Sequence, residues 1–320
     1  MNPKLSVSDM ADILGVTPDA VHKAIKSKGL TVGRQNNKLY LQHESTSILF
    51  DFKFHYPKVI VFQNNKGGEG KSTLVHSVAV CANLYGARVL CIDSDPQGNL
   101  TQAMGIDAEQ SPVLFDYYVE GNLDVQDIIV PVIPGLDIIP SRIENEKLND
   151  YIPMKQKNIN RMYSDLLAPV IDKYDLIIFD CPPNLSHNVA AVALFSDLII
   201  IPVTPHKFSY NGLKMCDELY QRLSTDYRPK DKPINLKILF NRFKATTSLS
   251  HEFYNQLLEH PRYKIMLYKL FIRDNQEFAN VITRNQSIFD TLKALPSKED
   301  IHLITREILG IKEQIEAMNK

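Results

Sequence analysis

The sequence has no apolar run near the roughly 18 residues that suggest a bilayer span, and no charged-then-apolar leader at its start. Both absences lead to the expectation of a cytoplasmic protein with no membrane partner. Cysteine is scarce: Cys81, Cys91, Cys181 and Cys216 show no CxxC or His/Cys spacing. That argues against a cysteine metal site or a disulfide framework and leaves reduced core residues. Excess charge is missing too, because 36 Lys and Arg face 37 Asp and Glu for a net of −1. The chain is no polycation, so any nucleic-acid contact must come from local patches. Tryptophan, internal repeats and low-complexity segments are absent. What is present is 320 residues, 44% hydrophobic and 23% charged, which suits one large α/β domain plus an accessory module.

Residues 1–45 read as the accessory unit. Ser6 with Asp9 is a capping-box start, and a helix follows to a turn at Gly15. Thr17-Pro18 caps a second helix that Gly29 ends. Two short β-prone runs around Arg-Gln-Asn-Asn-Lys then suggest a hairpin or wing. Val16, Val21 and Ile25 are expected in its core. The pattern is irregular from Glu44 to Tyr56, and residues 46–57 are read as a linker.

Residues 58–320 form the main domain. Apolar runs at 59–62, 88–93, 176–180, 198–203 and 236–241, with a further candidate at 136–140, alternate with helical segments. Strands apolar on both faces with helices between them predict a mostly parallel sheet covered on both sides, an α/β fold. Ile301, Ile304, Ile308, Ile311 and Ile315 recur at helical spacing and predict a packed C-terminal helix.

Gln63 to Leu74 reads QNNKGGEGKSTL, between a buried strand and a helix. Glycines there let backbone N–H groups approach a phosphate, and a helix N-terminus attracts the anion. Lys71 and Ser72 fit the end of a P-loop, but the first glycine of the common pattern is Asn65, and Lys66 is an additional lysine.

This KGGEGKST variant resembles the deviant Walker A motif of the ParA/MinD family of ATPases. The resemblance runs from about Lys58 to Leu295, through VLCIDSDPQGNLT (89–101), GLDIIPSRIENEKL (135–148), YDLIIFDCPPNL (174–185), IIIPVTPHKFSYNGL (199–213) and ILFNRF (238–243). It implies a P-loop fold, and ATP and Mg²⁺ as cofactors. Gly67, Gly68, Glu69, Gly70, Lys71, Ser72 and Thr73 would hold phosphates, and Asn241 would meet the adenine. Ser72, Asp93 and Asp180 would serve the metal, and Asp95 the attacking water. Lys66 would point out of its own loop to the triphosphate of a second subunit, as an arginine finger does. Glu69 departs from the small or apolar residue usual there, and its carboxylate could either slow hydrolysis or point to solvent.

Within that family the dispersed cysteines argue against an iron–sulfur reductase, and the Glu-balanced tail against a membrane-bound cell-division member. The N-terminal unit resembles a helix-turn-helix, with Ala11, Gly15 and Val21 at the characteristic spacing. His22, Lys23 and Lys26 would face a DNA groove, and Arg34 and Lys38 the phosphates. A helical hairpin used for dimerisation is the alternative. Arg242, Lys244, Arg273 and Arg284 are candidates for a second, non-specific DNA surface. The implied activity is that of a nucleoid-associated DNA-partition ATPase. It would work as an ATP-dependent homodimer with a ParB-like partner, its N-terminal unit binding an operator. A nucleotide-switched transcriptional regulator with little turnover is the rival reading.

Overall fold

The computed structural model describes residues 1–54 and 58–318. The expected capping box forms: Ser6 Oγ accepts the N–H of Asp9, and the Asp9 carboxylate accepts that of Ser6, both at 3.1 Å. It starts α1 (Val7–Leu14) directly after the short strand β1 (Leu5–Ser6). Gly15, at φ +63°, ends α1, and Thr17 caps α2 (Pro18–Ser27). β2 (Gly33–Gln35) and β3 (Lys38–Leu41) pair through Asn36 and Asn37, both at positive φ, the two-residue turn that suits strand twist. The small sheet has the order β1-β3-β2. Val21 and Ile25 are buried as expected, but Val16 is 38% exposed, because it sits in the turn between α1 and α2.

Most of the expected linker is ordered. Residues 43–50 form α3 (His43–Phe50), and only residues 55–57 of the linker lie outside the described residues. Tertiary contacts make this helix, whose own pattern is weak. Ser45 Oγ donates to the Thr31 carbonyl, while Phe50 and Phe52 stack at 5.2 Å and both reach Tyr85 of the main domain. A Cβ on Gly86 would lie 2.6 Å from Ser47 Cα, so the two segments touch backbone to backbone.

The main sheet comprises β4 (Lys58–Phe62), β5 (Val89–Asp93), β6 (Val130–Ile133), β7 (Leu136–Ile139), β8 (Leu176–Asp180), β9 (Leu198–Val203), β10 (Leu236–Phe243) and β11 (Leu267–Arg273). Its order is β11-β10-β9-β4-β8-β5-β7-β6, parallel throughout except for the edge strand β6, which carries Pro131. Helices cover both faces over two cores. α4 (Lys71–Leu84) is buried at every residue from Leu74 to Leu84. It lies between the sheet and an outer layer made of α3 and the C-terminal helix Pro296–Leu309. The five C-terminal isoleucines are buried, and one core holds them together with Leu5, Met10, Val21, Phe50 and Tyr85. The N-terminal unit is thus packed into the main domain. Its backbone joins too, through the Lys4 N–H to the Phe289 carbonyl (2.8 Å).

Two histidines in this shared core are held neutral. Burial pushes His76 from the ordinary 6.5 down to about 4, and the N-terminal ammonium acts in the same direction. Burial takes His302 to about 3, with Asp9 opposing and Arg306 and Lys298 adding. The unfolded chain binds these protons below about 6.5 and the folded chain refuses them. Stability is therefore full above that pH and lost as the pH falls toward 4, by up to about 1.4 kcal/mol per unit and ring. Thermal melts from pH 7 to 4 should show this decline, and His302→Gln should lessen its slope.

Candidate functional site

β4 delivers the chain into the loop Gln63–Gly70, and α4 begins at Lys71. Gly68 and Gly70 adopt φ +81° and +84°, which side chains disfavour, and a Cβ on Gly70 would meet Asn241 Nδ2 at 2.5 Å. The α4 N-terminus opens on a cleft of about 570 Å³ at the carboxyl ends of the strands. Gly67, Gly68, Gly70, Lys71, Ser72, Thr73, Asp95 and Arg242 are among its lining residues. Lys71 is buried and folds across the loop, its Nζ 3.4 Å from the Asn64 carbonyl.

Three carboxylates meet beside the loop. Asp93 and Asp180 are register partners on β5 and β8. Neither oxygen of the buried Asp180 accepts a hydrogen bond among the described residues, although Ser72 and Lys71 lie close enough to favour its charged form. Burial first, then the Asp93 charge, raises its pKa well above the usual range. A buried carboxylate left without donors beside a hydroxyl suits a divalent cation. No group of three or more His, Cys, Asp or Glu among the described residues is set to hold a metal alone.

Asp93, expected to serve the metal, has both oxygens engaged by hydrogen bonds. Its Oδ2 accepts Thr101 N (2.9 Å) and Oγ1 (2.7 Å), and its Oδ1 accepts Asp95 N (3.1 Å). It organises the loop that carries Asp95. Burial, with the Asp95 charge adding, raises its pKa to about 7. Asp95 uses Oδ1 to accept Gln97 N (3.0 Å), and among the described residues its Oδ2 has no donor.

Lys66 does not point away from its loop in this chain. Its Nζ lies 2.6 Å from Glu69 Oε1 and donates to Ser209 Oγ at 3.0 Å. Glu69 is fully buried, so its carboxylate does not point to solvent. It accepts Thr204 N (2.6 Å) and Ser209 Oγ (2.8 Å). Asn241 also does other work: Nδ2 donates to the Glu69 carbonyl (2.8 Å), and Oδ1 accepts Arg242 N (3.0 Å). It is a strut under the loop, at the wall of a neighbouring recess of about 200 Å³ formed with Thr73, Asn275 and Phe278.

The candidates for a DNA surface divide. His22, Lys23, Lys26, Arg34 and Lys38 are all exposed on the N-terminal unit. Arg273 is bound to Asp300 (2.6 Å) and Glu299 (3.0 Å), which fixes it to the C-terminal helix. Lys244 pairs with Asp274 at 3.1 Å. Arg242, at φ +55°, lines the cleft. Arg242 and Arg284 are both exposed without an ion pair among the described residues. Sequence reasoning assigned no role to Thr204 and Ser209, which follow β9, or to Thr101. Their hydroxyl and amide partners are up to 140 residues away.

A strand, a glycine loop and a helix N-terminus facing a carboxylate pair define a P-loop nucleotide-binding protein. Residues 57–231 match the family described as AAA domain. The sporulation initiation inhibitor protein Soj of Bacillus subtilis is 30% identical over 239 residues, 72% of this chain and 90% of Soj. Cell division protein PomZ of Myxococcus xanthus is 27% identical over 310 residues, 96% and 93% of the two chains. The chain spans 63% of the length of two uncharacterized Mycobacterium tuberculosis proteins that it matches at 28% identity. The Cyanothece McdA–ATP complex shares the fold at TM-score 0.71 and 20% identity, over 80% of this chain and 98% of McdA. A putative plasmid partition protein of Borrelia burgdorferi bound to AMPPNP follows at 0.59 and 20%, over 83% and 100%. The chain belongs to the ParA/MinD family of P-loop ATPases. No described helix is long and apolar enough to cross a membrane.

Proposed function

We propose that the protein is a Mg²⁺-dependent ATPase of DNA partition. It associates as a dimer on ATP, coats DNA non-specifically and is released when a ParB-like partner stimulates hydrolysis. The observation that carries this reading is the convergence of Lys71, Ser72 and Asp95 on one cleft under a glycine loop, with the buried Asp180 beside Ser72 and Lys71. Loop N–H groups and Lys71 bind the phosphates. Ser72 and Asp180 would hold Mg²⁺, which would supply charge neutralisation at the phosphates. Asp95, positioned by Asp93, orients the attacking water with its free oxygen. Lys66 leaves its own loop to stabilise charge on the triphosphate of the second copy. The recess beside Asn241 takes the base. His22, Lys23, Lys26, Arg34 and Lys38 contact operator DNA, and Arg284 adds to the non-specific surface, hence salt-sensitively.

The test is the size of the protein with no nucleotide, ADP and ATP, with and without DNA, beside its turnover. ATP-specific dimers and turnover stimulated by DNA are expected. An inert monomer that binds only one operator would support a nucleotide-switched regulator instead. Asp95→Ala should lower turnover by roughly 10²- to 10⁴-fold and leave long-lived ATP dimers on DNA. Dimers no more durable than the parent's would assign Asp95 another task.

A further inference from the structure

We infer that Glu69 is a latch that holds Lys66 at home and makes its release depend on a full triphosphate. The inference rests on the trans role proposed for Lys66. Glu69 is entirely buried, whereas the Lys66 side chain is 27% exposed. The carboxylate takes two neutral donors, Thr204 N and Ser209 Oγ, from the segment after β9. Its only cation is Lys66, at 2.6 Å among the described residues. Ser209 Oγ both donates to Glu69 and accepts from Lys66, so the three side chains close a small network that ties the phosphate loop to the first turn of helix Lys207–Tyr227.

A buried charge stripped of its counter-ion is strongly unfavourable. For Lys66 to reach a second copy it must abandon Glu69, leaving that carboxylate with neutral donors alone. The partner's nucleotide has to offer more than Glu69 does. A triphosphate presents more negative charge than a diphosphate, so the latch sharpens the difference between ATP and ADP. A small apolar residue at this position would offer Lys66 no such alternative. Glu69 is in this sense a positioning residue: its carboxylate, turned to Thr204 and Ser209, acts on association through Lys66.

The decisive variant is Glu69→Gln, which retains an oxygen for Thr204 N and removes the charge. ATP-dependent dimerisation, followed by sedimentation of the full chain, should tighten by about tenfold, the worth of a charged hydrogen bond no longer broken on release. The ratio of ATP-driven to ADP-driven association should fall, while thermal stability stays level or drops. A purely structural role would lower stability and association together. Ser209→Ala, which keeps the ion pair, should change the ATP/ADP ratio far less. Lys66→Ala placed on Glu69→Gln should abolish the gain. If Glu69→Gln associates no more tightly than the parent while Lys66→Ala destroys association, the latch is wrong and the trans role stands. If Lys66→Ala associates as the parent does, the trans role fails and the latch falls with it.

Discussion

Lys66→Ala is expected to bind ATP as a single chain nearly as well as the parent, yet to lose ATP-dependent dimers and about 10³-fold or more of its turnover. The first half follows from the cradle. Lys71, the glycine N–H groups and Ser72 line the cleft, whereas Lys66 is turned toward Glu69 and Ser209. The second half follows from phosphoryl transfer, where a cation supplied by a partner is worth about 10³–10⁵. One complication has a clear remedy. Without Lys66, Glu69 is a buried charge lacking its cation, which costs on the order of 3–5 kcal/mol. Measuring Lys66→Ala together with Glu69→Gln removes that cost and isolates the catalytic loss. Turnover unchanged in both would refute the role of Lys66 between subunits.

Removing residues 1–45 is expected to unfold the protein, not to yield a working ATPase body. Read as a unit on a linker, the N-terminal segment would be dispensable for everything but operator recognition. The packing argues otherwise. Leu5, Met10, Ile13, Val21, Ile25 and Leu41 share a core with Tyr85, Val78, Ile304 and Ile308. Exposing even several such side chains forfeits about 1.5–3 kcal/mol each, and the whole stability of a domain is about 5–15 kcal/mol. His43 also leaves, and with it the contact from its Nδ1 to the Asn83 carbonyl near the end of α4 (2.9 Å). A truncated chain that stayed soluble and melted cooperatively near the parent's temperature would show that the body stands by itself.

Much of the fold was legible because burial on both faces leaves an unmistakable mark. β4, β5, β8 and β9 are solid apolar runs, and glycines between a strand and a helix located the phosphate loop. β11 escaped notice because LYKLFIR mixes buried and exposed positions, and β6 because a proline interrupts it. α3 was unreadable for another reason: its helix exists through the aromatic stack on Tyr85 and bonds from Ser45, all supplied from elsewhere. At the site, residue types in order singled out Lys71, Ser72, Asp95 and Asp180 as candidates. They said nothing about which oxygens were already taken. That information resides in contacts such as Thr101 on Asp93 and Thr204 on Glu69, where the partner is a backbone amide or hydroxyl that no motif specifies. Arg273 illustrates the same limit, since a surface arginine and one clamped by two acids look alike in a string of letters.

The sheet's terminal strand at one flank bears on crowding. Pro131 occupies an exposed position on β6 and offers no amide hydrogen to a newcomer. Ribbons from neighbouring molecules are therefore denied an easy zipper along that margin. That flank is thereby kept from seeding fibrous aggregates when copies of the chain crowd together.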